Sequence, residues 1–587
     1  MVAKEIKAAT SDEEKSKEEL PYSSSTSRVA STQIITTPQI GHKFNLLPES
    51  IKRCFYYSCL FPKRYEFEEE KLIQLWIAGG LVLPDRYLKE DKGRDIFVKL
   101  LWNSLFQRSS LVYPNGIPRY KVPDDVYDLV QQSCPDVFVT TADREPTATT
   151  LHSLLLLHHS NDTAIFKSLY ESEMLRTLIL LNEENHRSRI RQVPPDLFLR
   201  LRFLSAVDLS GTCIMELPTS IENLKHLAFL DLSYTPITIL PDSICSLNHL
   251  LTLNLRYCSE LIELPNSISK MLSLRHLDLE GARQLTSMPP SIGKLTNLRK
   301  LGTFVVGREE GCRIEELRNL NKLEGSLSII NLENVMDENG AKRVRLRGKK
   351  YLRKIEFQWS GVEWGRKAEN VLNNLRPPSQ VRELKILHYG GSTFPEWLSF
   401  SNLTTIILIG CGGCTHLPSL GELPNLTSLC IEEMHALKEI NNYGLRKFGI
   451  PEFPRLMKLE LDGMHELRKW WEIEVGDMPR LHKLTITDCP KLTTLPMLEW
   501  LPSLRHLEVT LCPKISSLPD GAPPNLRSLI IAESPKLEKR CRKGKGEDWH
   551  KIARVPDIWI HYKQISGIKT EHSQEQTSGS DLGVETQ

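Results

Sequence analysis

The chain has 587 residues, too many for one compact core, and its 40% apolar and 25% charged residues give the balance of a soluble globular protein. A net charge of +2 provides no whole-molecule attraction to nucleic acid or to an anionic membrane. Thirteen cysteines, odd in number and scattered, fit a reducing compartment better than a disulfide framework.

Residues 1–40 are charged and then rich in Ser and Thr. They hold too little apolar surface to offset chain entropy, so disorder is expected there and again over the polar tail 566–587. No apolar stretch near the start has signal-peptide length, and no run approaches the ~20 apolar residues of a membrane span. The expectation is a cytoplasmic or nucleo-cytoplasmic protein with no integral membrane segment.

Residues 41–145 read as a small α/β unit, helices followed by a hairpin. Leu46, Leu47, Ile51 and Phe55 share a helical spacing. Glu68 to Ala78 forms a second predicted helix, acidic in its first turn and ended by Gly79-Gly80. A third runs from Arg94 to Phe106, with Phe97, Leu100, Leu101 and Leu105 on one face. Leu111-Val112-Tyr113, a Pro114-Asn115-Gly116 turn and Tyr120-Lys121-Val122 spell a hairpin. Helices followed by a short hairpin suggest a winged helix. Its Arg119 and Lys121 would suit DNA, but the acidic Glu68 to Glu70 argue against it, so intramolecular packing is expected and nucleic acid is not.

Residues 146–565 repeat. The spelling LxxLxL places Val207, Leu230, Leu253 and Leu277 at steps of 23, 23 and 24, with ELPTSIENL, LPDSICSL, ELPNSISKM and MPPSIGKL between them. A second series centres on Ile406, Leu429, Leu459, Leu484, Leu507 and Leu529, and weaker strands lie near Leu154, Leu178, Ile329, Ile355 and Leu384, for about sixteen units. Periods of 20–29 residues are those of leucine-rich repeats. In xxLxLxx the leucines point one way and the x residues the other. No repeat buries its leucines alone, so stacking builds one continuous core behind a curved parallel sheet. The fold class is therefore α/β: a leucine-rich-repeat solenoid preceded by a winged-helix-like domain.

The outward x residues of the sheet are the candidate ligand surface. They include Phe229 and Asp231; Asn254 and Arg256; His276, Asp278 and Glu280; Lys458 and Glu460; Lys483 and Thr485; His506 and Glu508. Acidic and basic rows in one field suit a protein ligand better than a nucleic acid. Phe229, large and apolar, is the expected hot spot. Metal and catalytic candidates are weaker. Cys411 and Cys414 form a single CxxC without a second pair, and are expected to be small buried side chains in a repeat turn. His152, His158 and His159 are expected at an exposed strand end. The basic run Lys539 to Lys545 is expected to be a solvated loop. No catalytic or metal residue is assigned, and the chain is expected to be no enzyme.

The stretch RCFYYSCLFPKRYEFEEEKLIQLWIAGGLV, Arg53 to Val82, resembles the winged-helix end of the nucleotide-binding module of plant intracellular immune receptors, in their coiled-coil subclass. Cys54, Phe55, Tyr57, Phe61, Pro62, Leu72, Ile73, Leu75, Trp76, Ile77 and Ala78 match, as do the phrases LPTSIENLKHLAFLDLSYTPI, LHYGGSTFPEWL and GEDWHKIARVPDIWI. The resemblance implies a defence role through recognition of a pathogen protein, a modified host protein or a partner receptor. It also implies repeats that restrain a nucleotide module, and binding of ADP or ATP. This sequence departs from the pattern. Gly293-Lys294, Gly348-Lys349 and Gly544-Lys545 are its only GK pairs, and none completes the phosphate loop GxxxxGK[ST]. Where the family has Met-His-Asp, this chain has Val122, Pro123 and Asp124, and proline offers no side-chain donor to a phosphate. Asp124-Asp125-Val126-Tyr127 mimics the family's magnesium motif but follows no buried strand, so a helix start is expected. The expectation is a truncated receptor that recognises without its own nucleotide switch and holds no cofactor; the alternatives are a general intracellular adaptor, or a fragment of a full receptor that switches between ADP and ATP.

Overall fold

The computed structural model describes residues 37–82, 89–111, 116–131, 138–140, 145–157, 163–182, 190–360, 365–399, 401–440, 451–469, 473–521 and 524–566. Most of the two termini expected to be disordered therefore lies outside the described residues, as do His158 and His159.

Five helices build the N-terminal domain: α1 (Thr37–Asn45), α2 (Glu49–Ser58), α3 (Glu69–Ala78), α4 (Lys89–Trp102) and α5 (Asp124–Gln131). Helix α1 starts inside the segment read as disordered. The stretch from Leu46 to Phe55 is not one helix, because Pro48 caps α2 and separates it from α1. Helix α4 starts at Lys89 rather than Arg94, since Glu90 and Asp91 supply an acidic first turn. The wing is Arg119–Lys121 between Gln107–Arg108 and Phe67–Glu68, both antiparallel to it. Its first strand thus precedes the predicted Leu111-Val112-Tyr113; Leu111 is outside any strand, and Val112 and Tyr113 are outside the described residues. Packed aromatics fill the centre, with Phe97 5.1 Å and Phe67 5.0 Å from the Phe106 ring.

The solenoid is one seven-stranded sheet from Phe138–Thr140 to His276–Asp278 and one twelve-stranded sheet from Gly302–Val305 to Lys563–Ser566. All pairs are parallel except the last, and a bridge from His276 to Lys300 links the two sheets. The strands Phe138–Thr140, Gly302–Val305 and Asp557–Ile560 lack the LxxLxL spelling, so the sheet begins before residue 146.

Alternation along the strands feeds two separate cores. Leu155, Leu178, Val207 and Leu230 enter the long solenoid core with Ile221, Ile244 and Ile268 of the short helices after each Leu-Pro. Leu154, Ile179, Ala206 and Phe229 face the opposite way, into the core of the N-terminal domain. Between strand and short helix, buried donors close the turns: Thr212 and Thr235 hydroxyls donate at 2.7 Å to the carbonyls of Leu209 and Leu232. At the far end the carboxylate of Asp548 accepts from the Leu518 N–H at 3.0 Å and from Arg540 at 2.9 Å, which caps the last repeats. The basic run is thus partly committed to this cap.

Lys349 breaks the repeat pattern. It stands at the end of a short helix, where other repeats place Leu224, Leu247, Met271, Leu295 and Leu320. Its side chain is fully buried, and Nζ donates to the carbonyls of Leu317 at 2.6 Å and Leu320 at 2.9 Å. Burial lowers its ammonium from the usual 10.5 to about 8. At this site the unfolded chain therefore binds more protons than the folded one between about pH 8 and 10.5, so the contribution of Lys349 to stability rises with pH across that window. Buried thiols such as Cys411 and Cys541, pushed up to about 12, act with the opposite sign above about pH 9, so the quantity to measure by chemical denaturation is the difference in stability between the chain and Lys349→Met, which should shift in favour of the chain by up to about 1.4 kcal/mol per pH unit. An identical pH profile in the variant would refute this assignment.

Candidate interaction surface

The concave face of the sheet divides into an occupied and an open half. The N-terminal domain lies on the first half. Helix α3 crosses the strands: Lys71 near its start reaches Asp208 at 2.7 Å and Asp231 at 2.8 Å, while Gly79 at its end sits against His152. Glu70 reaches Lys300 at 2.9 Å, which also meets Asp278 at 3.3 Å. From α4, Glu90 takes Arg275 at 2.6 Å. The Tyr57 hydroxyl of α2 donates to Thr177 at 3.4 Å, and its ring packs 5.3 Å from His152.

These charges leave water in pairs, which is the condition for burying them. Burial opposes ionisation of Lys71, but Asp208 and Asp231 more than offset it and hold the ammonium well above its ordinary value. Burial also opposes the charge on Asp231, and Lys71 outweighs it, holding that carboxyl below its usual range. Asp208 is pushed up by burial, with Asp231 adding to the effect. Burial lowers His276 to about 4 and His152 to about 3, so both rings are neutral.

Several outward residues are therefore not available to a ligand. Phe229 is 1% exposed, packed in the N-terminal core rather than presented as a hot spot. Asp231, Arg256, His276 and Asp278 are buried on the same covered half, and Asn254 and Glu280 are half-buried at its margin. Their strands do alternate as expected; what the pattern omits is the domain lying on top. His152 is buried too, its Nδ1 2.9 Å from the Thr177 hydroxyl, and is not an exposed strand-end residue. A cavity of about 190 Å³ remains at the seam, walled by polar and apolar side chains alike, among them Phe67, Lys71, Leu72, Arg119, Asp231 and Asp278. That is below the roughly 300–1,000 Å³ of ordinary small-molecule sites. A wider cleft of about 1250 Å³ continues beneath α3 and α4 over Ser326, Ser328 and Glu356.

Beyond that cleft the face is open. Lys458, Glu460, Lys483, Thr485 and Glu508 are half-buried and His506 is exposed. Glu460 sits between Lys458 at 2.8 Å and Lys483 at 3.7 Å. Upstream of them Leu387, Ile407 and Ile409 are half-buried on the same face, with Leu387 directly opposite Ile409. The repeat register already turns Ile407 and Ile409 outward, but Ile406-Ile407-Leu408-Ile409 is apolar throughout, so the strand by itself does not say whether its outward side is covered or open.

The remaining motif positions serve the fold. Among the matched residues Cys54, Phe55, Tyr57, Leu72, Leu75 and Trp76 are all buried. Val122 is buried as well, and Asp124, in the first turn of α5, pairs with Arg64 at 2.9 Å. Arg119 of the wing pairs with Glu68 at 2.7 Å, so the basic wing faces its own domain. Cys411 and Cys414 are buried in repeat turns, and their thiols donate to the carbonyls of Ile386 at 3.7 Å and Gly391 at 3.2 Å.

Comparison with known proteins agrees with both halves of this architecture. The family model "Disease resistance protein Winged helix domain" matches residues 60–130. "R13L1/DRL21 LRRs" matches 314–434, and "Plant disease resistance protein RPS2-like, leucine-rich repeats" matches 375–517. The chain contains a winged-helix module and leucine-rich repeats of plant disease resistance proteins. The disease resistance RPP13-like protein 1 of Arabidopsis thaliana is 35% identical over 517 residues, covering 78% of this chain and 46% of that relative. Disease resistance protein RGA2 of Solanum bulbocastanum is 36% identical over 469 residues, covering 78% and 45%. The chain thus spans less than half the length of these two disease resistance relatives. Among solved structures, a leucine-rich-repeat protein of Leptospira interrogans matches with a TM-score of 0.40 at 20% identity over 70% of this chain and 90% of its own. In this disease-resistance architecture the matched winged helix includes α3, α4 and the wing, the elements seated on the first repeats. No helix among the described residues is long and apolar enough to cross a membrane.

Proposed function

We propose that this protein is a defence-response recognition scaffold. It binds a protein ligand on the open half of its concave face, and that ligand is a pathogen protein, a modified host protein or a partner receptor. The observation that carries this is the division of the face. Its own winged helix occupies the first half, while Leu387, Ile407 and Ile409 with the charged rim of Lys458, Glu460, Lys483 and Glu508 remain accessible. An apolar centre within a polar rim is the anatomy of a protein interface. The proposal places the chain in the cytoplasm, as a binder and not an enzyme.

Two measurements test it. Full-length chain cross-linked in infected leaf tissue should recover a partner at least tenfold less efficiently after Ile407→Arg with Lys458→Glu and Lys483→Glu. Recovery of the same set by parent and variant would end the surface assignment, and recovery of housekeeping assemblies alone would favour a general adaptor. The second is calorimetric titration with ADP and ATP. We propose no nucleotide switch in this chain, because Pro123 takes the phosphate-sensing position and no GxxxxGK[ST] is present. No binding is expected up to about 1 mM nucleotide, and micromolar affinity would refute it.

A further inference from the structure

The covered half shows what kind of group this sheet accepts. In register across its strands runs the row Leu154, Ile179, Asp208, Asp231, two apolar residues followed by two acids. The winged helix fills the row in kind. Lys71 lies between the two acids at 2.7 and 2.8 Å, and the apolar pair packs in the N-terminal core with Tyr57 and Leu75. Helix α3 spans the row because its rise from Lys71 to Gly79, about 12 Å at 1.5 Å per residue, matches two to three strand spacings of about 4.8 Å. Its N-terminal end, which carries a partial positive charge, points to the acidic end.

The open half holds the same order. Leu387, Ile409, Glu432 and Asp462 are consecutive register partners on neighbouring strands. The first three are half-buried and Asp462 is exposed. Neither acid has a basic partner among the described residues. Partial desolvation raises the Asp462 carboxyl, and the nearby Glu432, Asp488 and Glu433 raise it further, so a cation there would relieve repulsion.

We infer that this second row binds a helix of a protein partner, one carrying a lysine or arginine in its first turn and apolar side chains one and two turns later, laid across the strands in the same sense as α3. The inference rests on the recognition function proposed above and specifies its ligand chemistry.

The probe is a fluorescently labelled, hydrocarbon-stapled peptide with the Glu69–Ala78 sequence, titrated by anisotropy into the full-length chain, whose own α3 fills the first row. Saturable binding is expected. It should weaken at least tenfold when the peptide carries Lys71→Glu, or when the chain carries Glu432→Lys with Asp462→Lys, and return to within a few-fold when both changes are combined. Ile409→Asp should also weaken it tenfold, whereas Glu222→Lys, exposed on a short helix on the opposite side of the solenoid core from the sheet, should leave it within twofold. Unchanged melting temperatures would show that these substitutions leave the fold intact. Failure of the peptide to saturate, or affinity indifferent to Glu432→Lys with Asp462→Lys, overturns the inference. If partner recovery still depended on Ile407, Lys458 and Lys483, the recognition function would survive that failure.

Discussion

Lys71→Met is expected to loosen the winged helix from the repeats by about 3–5 kcal/mol, the usual cost of removing one partner from a buried ion pair. Asp231 is fully buried and Asp208 nearly so, and without the ammonium two like charges on adjacent strands would face each other at the covered seam. Amide hydrogen exchange along α3 is the direct measurement, because it reports local opening rather than unfolding of the whole array. Protection there should fall by at least two orders of magnitude while the repeats beyond residue 400 keep theirs. Combining Lys71→Met with Asp208→Asn and Asp231→Asn should restore most of it, since amides carry no unpaired charge. Acid should act in the same direction as the single substitution. The Asp231 carboxyl is held below its ordinary value, so its contribution is complete above about pH 4 and is lost as pH falls through the folded value. Asp208, pushed up by burial, carries the opposite sign and softens this loss. Unchanged α3 protection in Lys71→Met would refute the clamp.

Phe229→Ala should cost about 3–5 kcal/mol, the range for emptying a buried aromatic site. At 1% exposure the ring is enclosed by the N-terminal core and its own strand, and α3 passes over that strand. The variant distinguishes two roles sharply. An internal residue should lower the denaturation midpoint and loosen both α3 and the strand Phe229–Asp231. A ligand hot spot would leave stability untouched and cost only partner recovery, and that outcome would restore Phe229 to the recognition surface.

The covering of the first repeats had a trace in the sequence that the repeat spelling overrode. Leu154 to Leu157 and Leu178 to Leu181 are apolar on both strand faces, whereas Lys458–Asp462 and Lys483–Thr487 alternate apolar with polar. A strand apolar on both sides is buried on both sides. In the next repeats the trace fades, because Asp208, Asp231 and Asp278 look like solvated acids. Only Lys71 and Lys300, 137 and 22 residues from the nearest of these acids, make them interior. The helix boundaries show the same limit at shorter range: Pro48 divided α1 from α2 where hydrophobic spacing suggested continuity.

The sequence by itself determined the solenoid, since leucines recurring at repeat spacing can be buried only by stacking, and it placed the winged helix, whose matched residues turn out to be core. Tertiary structure alone decided which part of the concave face is free. Alternation along a strand says which side a residue faces but not what lies there, and that depends on a helix folding back across strands more than a hundred residues away. The acids that bind Lys71 stand between the two inward residues of their strands and Glu432 and Asp462 just after them, but all four read as outward acids; one pair is internal and the other open because a single domain covers half of the concave face.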